Sequence, residues 1–211
     1  MCGRYALYGS PTKLKEHFGT TNELDLKPRF NIAPTQTVPV VHTDATGNRV
    51  FTDARWGLIP SWAKDPKIGH QCINAKAETV AEKPSFRAAF KSRRCLVIAT
   101  GFYEWQVQGK AKQPMWIGLK SHRPFAFAGL WEHWHPPEGA DIESCTILTT
   151  EPNELLRPIH NRMPVILAPS AYDQWLDPTV HDAETLKSLL HPYPSEELMA
   201  YPVSTLVNNP R

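Results

Sequence analysis

The chain has 211 residues, of which 41% are hydrophobic and 21% charged, and a formal net charge of +2. That length fits one domain able to bury a real core, and the composition is ordinary for a globular protein. No apolar run approaches the roughly 18 residues of a membrane span, and the first residues lack the charged and apolar regions of a signal peptide. So small a net charge points to no partner by itself. The four cysteines, Cys2, Cys72, Cys95 and Cys145, form no CxxC pair, which argues against structural zinc and for reduced thiols in a cytoplasmic protein. Twenty prolines spread along the chain indicate shaped loops; seven tryptophans indicate a packed core, a stacking surface, or both.

Taken in order, residues 2–8 alternate loosely and predict a strand. Ser10-Pro11 reads as an N-cap with proline at the first helical position. Leu14 and Phe18 share a face of that helix, and Gly19 stops it. Arg29-Phe30-Asn31-Ile32-Ala33-Pro34 is expected to be an irregular loop. Residues 37–42 and 49–56 form a hairpin across a turn at 44–48. Trp56-Gly57-Leu58-Ile59-Pro60-Ser61-Trp62 opens a long irregular stretch reaching about Ile73, a length of loop that is often functional. A short helix is expected over 85–91. The apolar run 95–99 predicts a buried central strand, extended by Gly101-Phe102-Tyr103-Glu104-Trp105. After a turn at Gly109-Lys110, strands follow at 115–119, 125–134 and 146–150. A short helix is expected between Thr150 and His160, then a strand at 163–167. Helices at 170–176, capped by Ser170, and at 182–190 precede a last strand at 199–203. The expected fold class is α+β: a single domain over 1–211, its mostly antiparallel sheet curled towards a barrel with short helices at the rim.

Chemistry concentrates at four places. Methionine aminopeptidases remove Met1 before a small residue, and Cys2 would then carry a free α-amine beside its thiol. With ordinary pKa values near roughly 8 and 8.5, both have usable nucleophilic fractions at neutral pH. The amine can condense with an aldehyde to an imine, and the thiol can close a five-membered thiazolidine at high effective concentration. The competing reading makes Cys2 a small buried residue opening a strand. Glu104, among aromatics, is a candidate general acid/base, or else a solvent-facing glutamate on an amphipathic strand. His160 is a candidate proton shuttle, or else a hydrogen-bonded structural histidine. Asn74, in Ile73-Asn74-Ala75-Lys76-Ala77-Glu78-Thr79, could orient a reacting group or form a turn, and Glu78 could cap a helix. His133-Trp134-His135 could touch a metal, but it runs into the turn-like Pro136-Pro137-Glu138-Gly139 and reads better as a surface loop. No P-loop, GxGxxG, HExxH or GxSxG pattern is present.

The chain resembles the SOS-response-associated peptidase (SRAP) family, abasic-site shields of the YedK and HMCES type. The likeness rests on Met1-Cys2-Gly3-Arg4-Tyr5, the segments quoted around Asn31, Trp62, Asn74 and Glu104, then Ile159-His160-Asn161-Arg162-Met163-Pro164 and Pro202-Val203-Ser204, all in order. It implies an SRAP-like fold that binds single-stranded DNA bearing an abasic site, including sites near a duplex junction. Cys2 would be the nucleophile of a thiazolidine crosslink, and Asn74 would position the amine or sugar. Glu104 would be the acid/base of ring opening and imine formation, and His160 would act on the sugar hydroxyl or imine. An autopeptidase step and a weak abasic-site lyase activity are expected beside it. Arg4, Lys76 and Arg162 would contact phosphates, with Asn31 beside them, while Pro34 and Trp62 wedge or stack against bases. Lys76 stands where the family pattern has arginine, which keeps the charge and loses the bidentate fork. No metal or cofactor is expected, and a monomer is. Two other classes stay open: an N-terminal-nucleophile amidohydrolase resembling glutamine amidotransferases, and a non-covalent single-strand binder.

Overall fold

The computed structural model describes residues 2–136 and 138–210. The expected removal of Met1 and the Pro137 position of the predicted turn therefore lie outside the described residues. The strands are β1 (Arg4–Leu7), β2 (Arg29–Ile32), β3 (Thr37–Thr43), β4 (Arg49–Trp56), β5 (Asn74–Lys76), β6 (Arg94–Ala99) and β7 (Gly101–Gln108). They continue with β8 (Ala111–Leu119), β9 (Phe125–Trp134), β10 (Ile142–Thr150), β11 (Met163–Pro164), β12 (Ile166–Leu167) and β13 (Leu198–Pro202).

β4, β3, β6, β9 and β10 are hydrogen-bonded in that order, and β10 returns to β4, closing a five-stranded barrel. The closing pair is parallel, Ser144 opposite Arg55 and Cys145 opposite Trp56; the other four are antiparallel. Closure leaves no free edge among these strands. β6 is buried along its whole length, as its unbroken apolar run predicts for a strand covered on both faces. A second, wholly antiparallel sheet runs in the order β13-β8-β7-β1-β2. The chain passes between the two sheets four times, at β2–β3, β6–β7, β8–β9 and β12–β13. β6 passes into β7 through Thr100, whose N–H and Oγ1 both donate to the Ala6 carbonyl, at 2.9 and 3.1 Å. One hydrophobic cluster runs from Tyr5 and Phe102 of the second sheet to Val97 and Phe127 of the barrel.

The helices are α1 (Pro11–Phe18), α2 (Arg87–Ser92), α3 (Tyr172–Leu176) and α4 (Ala183–Lys187). α1 ends as expected: Gly19 adopts φ 66°, and its N–H bonds to the Lys15 carbonyl. α3 docks through Arg94, a side chain only 3% exposed. Its guanidinium donates to the carbonyls of Trp175 (2.7 Å), Phe90 (2.9 Å), Lys91 (2.8 Å), Val180 (3.0 Å) and Asp177. All these acceptors are backbone oxygens at helix ends or turns, so the buried cation is satisfied without a carboxylate.

Several local expectations are corrected. Residues 29–32 form the edge strand β2 instead of a loop, because the free edge of β1 pairs Tyr5 with Ile32 and Leu7 with Arg29 across an irregular register. Residues 151–160 form successive turns without a helix: Asn153 Oδ1 accepts from the Leu156 N–H at 3.0 Å, and Pro158 brings no N–H to continue the ladder. The strand at 163–167 is split, since Met163–Pro164 pairs with β10 and Ile166–Leu167 with β9. Neither Ser10 nor Ser170 caps its helix with its side chain.

Candidate functional site

Position two of the chain meets the middle of β7. Antiparallel pairing sets Arg4 opposite Tyr103 and Tyr5 opposite Phe102, so the residues before Arg4 run alongside Glu104. The long loop after β4 delivers the third element. Trp56 Nε1 donates to the Ile73 carbonyl at 2.8 Å, and the Leu58 N–H to the Cys72 carbonyl at 3.2 Å. Gly57 and Gly69 touch backbone to backbone, and a Cβ on Gly69 would lie 2.6 Å from the Gly57 carbonyl oxygen. The loop is thereby folded back so that β5 starts at Asn74, beside Ile147 of β10.

The four catalytic candidates are brought together. Asn74 Nδ2 donates to the Cys2 carbonyl at 2.9 Å, and Asn74 Oδ1 has no hydrogen-bond partner among the described residues. Cys2 is fully buried; burial pushes its thiol well above the usual range, and the nearby Glu104 charge adds to the rise. Glu104 is 2% exposed, and burial pushes its carboxyl up to about 7. His160 Nε2 lies 4.0 Å from Glu104 Oε2. His160 Nδ1 lies against the backbone of Arg162, 3.0 Å from its N–H and 3.1 Å from its carbonyl oxygen, so either tautomer of the neutral ring finds a partner there. Burial lowers the His160 pKa, which favours that neutral ring. A carboxyl raised to near neutrality facing a neutral imidazole is a pair able to exchange protons at physiological pH. Cys2 is thus a buried thiol that lies beside Glu104.

A cavity of about 580 Å³ opens on this pair, lined by Arg4, Glu104, Trp105, Val107, Lys112, His160 and Asn208. A larger one, about 700 Å³, is lined by Asn31, Phe30 and Leu206 among others but by none of the four candidates.

The cationic candidates fare differently. Arg4 donates to Asn31 Oδ1 at 3.0 Å and to the carbonyls of Val207 and Asn208 at 2.6 and 3.2 Å, and lies over the Trp105 ring. Asn31 in turn donates to the carbonyls of Val207 and Asn209. Arg162 makes a bidentate pair with Glu78, at 2.6 and 2.9 Å, and donates to the Thr149 carbonyl at 2.7 Å. This pairing holds the Glu78 carboxyl below its usual range and gives Glu78 a role other than helix capping. Lys76 is exposed. Pro34 is half-buried, and Trp62 stands 58% exposed on its loop, with a long 3.4 Å bond from Nε1 to the Pro84 carbonyl. No described contact joins either to the four candidates. Sequence reasoning missed Trp105, whose Nε1 donates to Asn208 Oδ1 at 2.8 Å, and the 207–209 segment that fastens Arg4 and Asn31.

Cys2, Asn74, Glu104 and His160 thus gather where a closed barrel meets an antiparallel sheet. The chain belongs to the SOS response associated peptidase (SRAP) family, whose model matches residues 1–210. It is 48% identical to the abasic site processing protein YoqW of Bacillus subtilis, over 100% of this chain and 96% of that one. Against the abasic site processing protein HMCES of Xenopus tropicalis it is 35% identical, over 88% of this chain and 64% of the other. Its fold is similar to a crystal structure of a Bacteroides thetaiotaomicron protein, with TM-score 0.89 and 29% identity, covering 97% of this chain and 93% of that one.

Proposed function

We propose that this chain processes abasic sites in single-stranded DNA by capturing them covalently through Cys2. Once the Met1–Cys2 amide is hydrolysed, the freed amine attacks the ring-opened sugar aldehyde. The carbinolamine loses water to give an imine. The thiol then adds across the C=N bond: sulfur bonds to the sugar C1 and the thiol proton ends on nitrogen, giving a thiazolidine.

The observation that carries the reading is the meeting of Cys2, Asn74, Glu104 and His160 in one place. Glu104, with its carboxyl near 7, can donate a proton to the departing hydroxyl and later accept the thiol proton. His160 Nε2, 4.0 Å away, relays protons to and from the sugar hydroxyl, speeding the opening of the closed hemiacetal. Asn74 holds the Cys2 backbone and leaves Oδ1 for an incoming donor, the amine or a sugar hydroxyl. An imine at the sugar also permits β-elimination of the 3′ phosphate, so a weak lyase side reaction accompanies capture until the thiol closes the ring.

In this reading Arg4 and Arg162 meet phosphate from fixed positions, because backbone carbonyls and Glu78 hold their guanidinium groups in place. Lys76 supplies charge, and exposed Trp62 supplies a stacking face. Incubation with an oligonucleotide carrying one abasic site tests the function: a denaturant-stable adduct is expected, absent in Cys2→Ala. Glutaminase activity without an adduct, or salt-reversible binding indifferent to Cys2→Ala, would replace the reading with an amidohydrolase or a simple binder.

A further inference from the structure

At the loop end of the β9–β10 hairpin, well away in sequence from the residues assigned above, two histidines and two carboxylates share one face. The register sets His133 opposite Glu143 and Trp134 opposite Ile142. Side chains alternate along a strand, so His133 and His135 leave one strand on the face that Glu143 and Asp141 occupy on the other. Trp134 points the opposite way, is buried, and donates from Nε1 to the Ala63 carbonyl at 2.7 Å, which fixes the histidine face outward. The two imidazoles stack at 4.5 Å with an interplanar angle of 25°. Asp141 reaches both: Oδ2 lies 3.1 Å from His133 Nε2, and Oδ1 lies 2.8 Å from His135 Nδ1. One donor atom from each of His133, His135 and Asp141 falls within 4.8 Å of the others.

We propose that His133, His135 and Asp141 form a surface site for a borderline divalent transition-metal ion of the zinc class. Two imidazole nitrogens and a carboxylate oxygen are the ligand types such ions take, and hard ions such as magnesium do not select imidazole. Ligands about 2.0–2.1 Å from a tetrahedral ion stand about 3.3 Å apart, close to the nitrogen–oxygen spacings present here. His133 Nδ1 lies 4.0 Å from Glu143 Oε1, which sets a carboxylate beside the nitrogen that keeps its proton while Nε2 presents its lone pair to the ion. The site is exposed, which leaves a fourth position to water. Bound there, the ion clips together the adjoining ends of β9 and β10, of which β10 also forms the barrel's parallel seam with β4. This site does not depend on the function proposed for Cys2.

Zinc calorimetry on the full chain tests it, in a Cys2→Ala background because a freed N-terminal aminothiol would itself chelate zinc. The expected result is one zinc per chain, with affinity lowered at least about tenfold in H133A/H135A and in D141N, and about tenfold in E143Q. Cobalt substituted at the same stoichiometry should show the visible absorption of a low-coordinate ion. No zinc uptake, or uptake changed less than tenfold by H133A/H135A in a chain whose circular dichroism is unaltered, overturns the proposal.

Discussion

Glu104 is the residue on which the chemistry turns, and its burial has a consequence that can be measured apart from activity. Its carboxyl ionises at about 7 in the fold against 4.5 ordinarily, so between those values the folded chain holds more protons than the unfolded one. Stability from this group is fully present below 4.5 and is lost as pH rises through about 7. Glu104→Gln cannot ionise. The stability of wild type relative to this variant, from urea midpoints, should therefore fall by a few kcal/mol as pH rises over that range and level off above it. In single-turnover assays the same variant should slow adduct formation about a hundredfold or more while DNA affinity, read by anisotropy, changes far less. Equal losses in rate and affinity would reduce Glu104 to a structural role. Cys2, Glu104 and His160 were legible because their residue types are uncommon in such settings and because their motifs follow one another in family order. The 4.0 Å approach of His160 to Glu104 was not legible, since it joins β7 to a residue far along the chain that follows the turns at 154–159, where sequence reasoning expected a helix.

Among the elements, the β6–β7 crossing decides where Glu104 points. Gly101 starts β7 where the Trp116 ring of β8 lies flat over it: a Cβ there would meet Trp116 Cζ2 at 2.0 Å. Gly101→Ala should therefore force the indole aside and cost about 1–3 kcal/mol, visible as a lowered urea midpoint at unchanged slope. An unchanged midpoint would mean that the ring repacks freely. Most strands were readable from alternation and turn chemistry; at the 44–48 turn, for instance, Asp44 Oδ1 accepts from the N–H groups of Thr46 and Asn48. Barrel closure was not readable. It pairs Trp56 with Cys145 in parallel, and nothing in either strand's own pattern names a partner so distant in the chain.

Across the whole molecule, the last residues fasten the first. Arg4 Nη1 reaches the Val207 carbonyl across a separation of 203 residues, and Asn31 and Trp105 bind the same segment. A chain cut after Ser204 should melt lower, by about 1–3 kcal/mol, and lose DNA affinity as Arg4 and Asn31 are released from their fixed positions. Thermal melts and anisotropy check this; unaltered values in both would make the segment a passenger. This long-range contact was invisible in sequence because its acceptors are backbone carbonyls, which any residue supplies. The same fold brings Cys2 beside Asn74 and Glu104, with His160 4.0 Å from Glu104. The most direct measurement is the intact mass of the product formed with a single-abasic-site oligonucleotide. The expected mass is that of the chain without Met1 plus the oligonucleotide less one water, in a species that survives denaturant and is lost in Cys2→Ser. A stable adduct that retains Met1, or one formed in full by Cys2→Ser, would contradict capture by the N-terminal aminothiol.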